Sequence, residues 1–489
     1  MPASETFVIA GGGLAGAKAA EALREQGFSG RIVLAAEEDI RPYERPPLSK
    51  DYLQGKSERE TIFVHSADWY DASRVELLPG TAVTGIDRGR REVTLSDGGR
   101  LAYGKLLLAT GSAPRRLPLP GADADGVLYL RRVGDSDRIR DTFRAASRVL
   151  IIGAGWIGLE VAAAARLAGV EVTVLEAADL PLLHVLGPQV APVFAGLHRE
   201  HGADLRLGVR VAEITVSGQK ATGARLADGT RIGADAVIIG IGAAPQTRLA
   251  EAAGLDVRDG VVTDASLRTS DPDIYAAGDI ASAFHPLLGT HIRVEHWANA
   301  LHQPETAAAA MLGRDAAYDR VPYFYTDQGM EYAGYAGPGG YDRVVFRGDV
   351  GKREFIAFWM SGGRVVAGMN VNIWDVTDAI QALIRSGQVA DPARLADPAV
   401  PLEEVWSGPA TAGITWLGSA SHSCRHCRIR RHPAVVSGPP SGAIVPPDRR
   451  TIRARSGSRI SRLGMSGLAS RSVMSSCGHI SPVIRRRTS

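Results

Sequence analysis

Phe7-Val8-Ile9-Ala10-Gly11-Gly12-Gly13-Leu14-Ala15-Gly16 near the start of the chain is answered 142 positions later by Val149-Leu150-Ile151-Ile152-Gly153-Ala154-Gly155-Trp156-Ile157-Gly158. Each stretch joins a β-branched apolar run to Gly-x-Gly-x-x-Gly and then to an Ala-rich segment. One such motif is weak evidence, because glycine-rich turns are common. Two copies, each between a strand and a helix, predict two dinucleotides held on one chain. The first glycine (Gly11, Gly153) turns the backbone out of the strand. The second (Gly13, Gly155) has no Cβ and admits a pyrophosphate, and the third (Gly16, Gly158) allows close helix–strand packing. Helices expected over 17–26 and 159–167 aim their unpaired N–H groups and positive dipole ends at that phosphate.

Both units then deliver an acid at the end of the second strand. Arg31-Ile32-Val33-Leu34-Ala35-Ala36 leads to Glu37, and Val172-Thr173-Val174-Leu175 leads to Glu176. A carboxylate there can accept hydrogen bonds from ribose hydroxyls. The competing reading is a solvated strand end; a full fingerprint upstream favours ribose in both cases.

A length of 489 residues suits roughly three domains. No apolar run is long enough to span a bilayer. The first apolar stretch enters the glycines with no basic segment or cleavage site, so a cytoplasmic enzyme is expected. The net charge of +3 averages two unlike parts. Residues 408–489 hold 14 Arg, no Lys and one acid (Asp448), whereas residues 1–407 carry 42 basic and 52 acidic side chains. All three cysteines (Cys424, Cys427, Cys477) also lie in that last stretch.

The expected fold class is α/β: two Rossmann-like three-layer nucleotide-binding domains plus a C-terminal α+β domain. Residues 1–115 end in Leu106-Leu107-Leu108-Ala109-Thr110-Gly111, and residues 116–244 end in the parallel phrase Ile238-Ile239-Gly240-Ile241-Gly242. Residues 245–320 contain Ile274-Tyr275-Ala276-Ala277-Gly278-Asp279, a short strand delivering an Asp, and are assigned with 1–115 to a discontinuous first domain. Residues 321–406 read as a separate domain with strands at Arg343-Val344-Val345-Phe346 and Phe355-Ile356-Ala357-Phe358 and a helix over 376–385. From 407 the periodicity vanishes into Arg, Ser, Gly and Pro, as expected of a disordered or out-of-frame tail.

The ordered combination resembles the FAD-dependent, NADH-using ferredoxin reductases of oxygenase systems, within the glutathione-reductase-like flavoproteins. The stretches that carry it are Tyr43-Glu44-Arg45-Pro46-Pro47-Leu48-Ser49-Lys50, Ala109-Thr110-Gly111, Gly278-Asp279, Glu295-His296-Trp297 and Pro322-Tyr323-Phe324-Tyr325-Thr326-Asp327-Gln328. The resemblance implies FAD on the first fingerprint (Gly11, Gly13, Leu14, Ala15, Gly16) and NADH on the second (Gly153, Gly155, Trp156, Ile157, Gly158). It implies that Glu37 binds the adenosine ribose, that Arg45 and Lys50 are cationic flavin contacts, and that Asp279 accepts from a ribityl hydroxyl. The backbone N–H of Trp297 is expected at the flavin pyrimidine end, and Tyr325 beside the ring, where relatives often carry Trp. Val83, Ala109, Thr110, Gly111, Gly278, Glu295, His296 and Gly242 complete the implied cofactor contacts. Lys50, Glu160 and Trp297 are the implied catalytic set, with Glu160 near the nicotinamide and within reach of Lys50. Taken alone, Lys50 is a surface lysine and Glu160 a helix-dipole partner.

Relatives that reduce disulfides pass electrons through a cysteine pair. Residues 1–407 hold no cysteine, so electrons are expected to leave the flavin directly, toward a [2Fe–2S] ferredoxin and then a P450 or a ring-hydroxylating Rieske oxygenase. No nucleic-acid or membrane partner and no metal are expected; the oligomeric state is left between monomer and homodimer. Cys424-Arg425-His426-Cys427 has CxxC spacing, but lacks a strand–helix context and a second ligand pair. Glu176 disfavours the 2′-phosphate of NADPH, since two unit charges about 4 Å apart repel by roughly 4 kcal/mol at an effective dielectric of about 20. Leu180 and His184 stand where relatives often carry an adenosine-binding Arg. The rival readings are an NADH oxidase or nitrite-reductase-type flavoprotein, and a redox-sensing NADH-binding protein resembling apoptosis-inducing factor.

Overall fold

The computed structural model describes residues 5–328, 330–336 and 340–406. The Arg-rich tail and its CxxC lie outside the described residues. Among those described, no helix is long and apolar enough to cross a membrane.

The first fingerprint strand, Thr6–Ala10, sits at the centre of a five-stranded parallel sheet. Arg31–Ala35 lies on one side in the register Phe7↔Ile32, and Lys105–Leu108 on the other in the register Phe7↔Lys105. Val75–Leu78 and Ile274–Ala276 form the two outer positions, so the late segment returns to the first sheet. Side chains alternate across the pleat, and both faces are covered. Phe7, Ile9, Ile32 and Leu34 pack against the helices Leu14–Glu25 and Trp297–Met311 through Ala15, Ala19, Leu23, Ala307 and Met311. Val8, Ala10, Val33 and Ala35 pack oppositely against Val93, Leu95, Tyr103 and Val261.

The second fingerprint strand, Arg148–Ile152, repeats this arrangement. Its parallel neighbours are Glu171–Leu175 and Ala236–Ile239, with Asp204–Arg206 and Val127–Tyr129 outside them. Val149, Ile151, Val172 and Val174 meet the helices Val133–Ala145, Trp156–Leu167 and Leu183–Glu200 through Ile139, Leu159 and Phe194. Leu150, Ile152 and Ile239 meet an antiparallel sheet through Ile214, Ala224 and Ile232. The two closing phrases pair with each other, Ser112–Pro114 antiparallel to Ala243–Pro245.

The last domain is a five-stranded antiparallel sheet, ordered Tyr323–Thr326, Met330–Gly334, Arg364–Val371, Glu354–Ser361, Arg343–Asp349. One face carries Ile356, Phe358 and Val365 against the helix Thr377–Ser386. The other carries Phe355, Trp359 and Met369, which share a core with Phe194 and Leu186 of the second unit. The Trp359 indole N–H donates to the Leu186 carbonyl at 3.3 Å. This packing brings the Tyr323–Thr326 strand up to the second fingerprint.

Candidate active site

The fingerprint helices begin at Leu14 and Trp156, three residues earlier than the expected 17 and 159. Gly13 and Gly155 are extended N-caps, so the chain enters the helix directly after the second glycine. The third glycine then falls within the first turn. A Cβ at Gly16 or Gly158 would stand 2.0 or 2.1 Å from the carbonyl oxygen of Gly11 or Gly153. Gly11 has φ +129°, and its Cβ would meet the Ala109 carbonyl at 2.2 Å. Above Gly13 and Gly155, in contrast, a Cβ would meet nothing within 4 Å. Open space over two extended N-caps, beside the orphan N–H groups of a first helical turn, fits a pyrophosphate at both places.

A single cleft of about 1780 Å³ joins the two fingerprints. It is lined by Gly11, Gly13, Leu14, Ala15, Glu37, Arg45, Lys50, Val83, Ala109, Thr110, Gly111, Gly278, Asp279, Glu295, His296, Trp297 and Tyr325 on one side. Gly155, Trp156, Ile157, Glu160 and Gly242 line the other. Gly16, Gly153, Gly158 and Glu176 are not in its wall. The Glu176 carboxylate instead accepts from the backbone N–H of Ala154 at 2.7 Å and of Ala178 at 2.8 Å, holding its own glycine turn. Glu37 is 60% exposed at the rim and pairs with Arg132 at 2.9 Å.

Where the two halves of the cleft meet, Lys50 Nζ donates to Glu160 Oε1 at 2.7 Å, and both side chains are buried. Ser49 Oγ donates to Glu160 Oε2 at 2.6 Å, and Thr326 Oγ1 to Oε1 at 2.6 Å. Three separate segments therefore converge on one carboxylate: the Pro46–Ser49 turn, the second fingerprint helix and the first strand of the last domain. Nothing in the local sequence of Lys50 announces this. Pro46 and Pro47 start a tight 3₁₀ turn that points Ser49 and Lys50 inward. The Lys50 ammonium lies 5.8 Å from the Tyr325 ring. Burial, reinforced by the carboxylates of Asp327 and Glu44, keeps the Tyr325 hydroxyl protonated well above its ordinary range.

At the first-fingerprint end, Asp279 accepts from Ser112 Oγ at 2.8 Å and from the Arg131 guanidinium at 2.7 Å. Arg45 bridges the Glu38 carboxylate (3.3 Å) and the Arg131 carbonyl. Trp297 is the first residue of its helix after the extended His296, so its backbone N–H is an orphan donor at the cleft wall. Glu295 is paired with Arg293. The His296 ring rests on Phe324 (4.3 Å between centroids), and burial pushes its imidazole down to about 4. Its Nδ1 and the indole nitrogens of Trp156 and Trp297 are buried without a hydrogen-bond partner, as expected of a wall built to face a further group. Ser49, Ser112, Arg131 and Thr326 are site residues that the sequence alone does not single out. Each is one polar residue without a repeating pattern, and only the tertiary fold shows its partner. Among the described residues, no group of three or more His, Cys, Asp or Glu could hold a metal.

Residues 5–304 match the pyridine nucleotide-disulphide oxidoreductase family, and residues 323–406 the reductase C-terminal family. The chain belongs to the pyridine nucleotide-disulphide oxidoreductases. It is 40% identical to putidaredoxin reductase of Pseudomonas putida, over 83% of this chain and 97% of that one. It is 41% identical to the ferredoxin–NAD(+) reductase component of the anthranilate 1,2-dioxygenase system of Burkholderia cepacia, over 82% and 99%. Among solved structures, the covalent putidaredoxin reductase–putidaredoxin complex superposes with a TM-score of 0.79 at 40% identity, covering 82% of this chain and 98% of that one. Both fingerprints fall within the first matched stretch and the antiparallel last domain within the second. The absence of cysteine from residues 1–407 sets this chain apart from family members that work through a disulfide.

Proposed function

We propose that this chain is an FAD-dependent NADH:ferredoxin oxidoreductase serving an oxygenase. The observation that carries the proposal is the buried Lys50–Glu160 pair where the cleft from one fingerprint meets the other. FAD, when bound, supplies the conversion of a two-electron hydride into single electrons.

The residues divide that work as follows. The first fingerprint, Glu37, Arg45, Val83, Asp279 and Arg131 would hold the FAD, with Ala109, Thr110, Gly111, Gly278, Glu295 and His296 around it. The second fingerprint, Gly242 and Glu176 would hold NADH. Arg131 and Ser112 hold the Asp279 carboxylate in place at the cleft wall. The Trp297 N–H, at the positive end of a 15-residue helix, stabilises negative charge beside it. Lys50 and Glu160 fix each other at the junction, and neither has to abstract a proton. With no cysteine in residues 1–407, no disulfide step intervenes.

The relatives named above work with oxygenase systems and with putidaredoxin, which supports a [2Fe–2S] ferredoxin as acceptor here and a P450 or Rieske oxygenase beyond it. The proposed setting is the cytoplasm. No specific observation favours the oxidase, nitrite-reductase-type or redox-sensor readings. Rapid mixing of the FAD-loaded protein with NADH under anaerobic conditions should bleach the flavin, and oxidised [2Fe–2S] ferredoxin should restore its absorbance. Absence of bleaching, or bleaching that ferredoxin does not reverse, would overturn the proposal.

A further inference from the structure

Glu160 is the end of a hydrogen-bond chain that reaches a buried histidine in another element. His198, on the helix Leu183–Glu200, is only 4% exposed. Its Nε2 lies 2.8 Å from Gln328 Oε1. The Gln328 amide nitrogen faces Thr326 Oγ1 at 3.4 Å, and Thr326 Oγ1 lies 2.6 Å from Glu160 Oε1.

The direction of the chain follows from its two ends. An ionised carboxylate only accepts, so Thr326 must donate to Glu160 and turn a lone pair toward Gln328. Gln328 then donates from its amide nitrogen and accepts at Oε1, which places a proton on His198 Nε2. Burial lowers the His198 pKa, leaving a neutral ring with that single tautomer. Every donor therefore points toward Glu160. A carboxylate offers about four lone-pair positions, and Lys50, Ser49 and Thr326 occupy three of them. The remaining capacity is on Oε2, and Glu160 lines the cleft.

We propose that Thr326 is a positioning residue for hydride transfer, held in its donating orientation by Gln328 and His198. On this view the last domain is part of the hydride-transfer site, because it fixes the rotamer of Glu160. The proposal rests on the proposed function, in which Glu160 stands at the hydride-transfer junction of the two halves of the cleft.

The test is the limiting rate of flavin bleaching by NADH in FAD-loaded full-length variants, with its NADH dependence. Thr326→Val keeps the shape and removes the donor; the limiting rate should fall roughly tenfold, the scale of one hydrogen bond to a charged group. The NADH concentration for half-maximal rate should change little. Thr326→Ser should restore the rate. Gln328→Glu, which turns the Gln328 donor into an acceptor and draws the Thr326 hydroxyl away from Glu160, should slow bleaching as Thr326→Val does. A Thr326→Val enzyme as fast as the parent, alongside a slow Glu160→Gln enzyme, would overturn the proposal and spare the Glu160 assignment. Equal slowing by Thr326→Val and Thr326→Ser would reduce Thr326 to a packing role and overturn it as well. A Glu160→Gln enzyme at the parental rate would overturn the Glu160 assignment and this proposal together.

Discussion

Lys50 and Glu160 lie 110 positions apart in sequence, yet Lys50 Nζ stands 2.7 Å from Glu160 Oε1 inside the protein. Each comes from a different nucleotide-binding unit, so the pair joins the two halves of the cleft. A buried charge without its partner is costly, whereas removing both charges is often tolerated. Lys50→Ala should therefore destabilise the fold by about 3 kcal/mol and slow flavin bleaching by NADH. Pairing Lys50→Met with Glu160→Gln should recover most of the stability without recovering the rate. Thermal melts and rapid-mixing absorbance check both; an unchanged bleaching rate in Lys50→Ala would remove Lys50 from the chemistry.

The glycines of the first fingerprint separate folding from cofactor binding. Gly11→Ala drives a Cβ into the Ala109 carbonyl at a φ of +129° and should lower stability sharply. Gly13→Ala meets nothing in the protein. It should leave the fold intact and empty the protein of FAD, because the methyl fills the phosphate approach. Flavin content and melting temperature read the two effects apart.

Glu176→Arg should raise activity with NADPH relative to NADH. The carboxylate also accepts from the N–H groups of Ala154 and Ala178, so the same change removes support from the glycine turn. Stability should fall by about 1–3 kcal/mol, and Glu176→Gln, which keeps an acceptor, should lose less. An unchanged NADPH-to-NADH ratio of kcat/KM in Glu176→Arg would take specificity away from this position.

His296 gives an acid-side signature. Burial lowers its folded pKa to about 4, whereas the unfolded imidazole titrates near its ordinary 6.5. Between these values the unfolded chain binds the extra proton, so stability falls as pH drops from 6.5 to 4, by about 3 kcal/mol in all. His296→Asn should reduce the dependence of melting temperature on pH across that window without abolishing it, because burial also pushes His302 down to about 4. A slope identical to the parent would show that other groups carry it.

Much of this site was legible in the chain because its parts are local. The alternation Phe7/Ile9 against Val8/Ala10, the glycine spacing and the acids at Glu37 and Glu176 are all set within some 30 residues. The helices start three residues before the expected positions because their N-caps, Gly13 and Gly155, have no side chain to mark the boundary; the extended conformation of each glycine sets it. Thr326, Arg131 and Ser112 stayed hidden for a different reason. Their roles depend on carboxylates 148 to 167 residues away, which only the packed fold brings near. The sequence points to Glu176, whereas its contacts with the backbone of Ala154 and Ala178 exist only in the folded second unit.

The proposed electron path runs from the flavin to a ferredoxin without a disulfide step. Its most direct test is NADH-driven reduction of cytochrome c by the FAD-loaded protein, with and without an added [2Fe–2S] ferredoxin. Turnover should be low alone and rise strongly and saturably with ferredoxin. Rapid NADH consumption that is indifferent to ferredoxin and draws on oxygen would rule out ferredoxin as the acceptor.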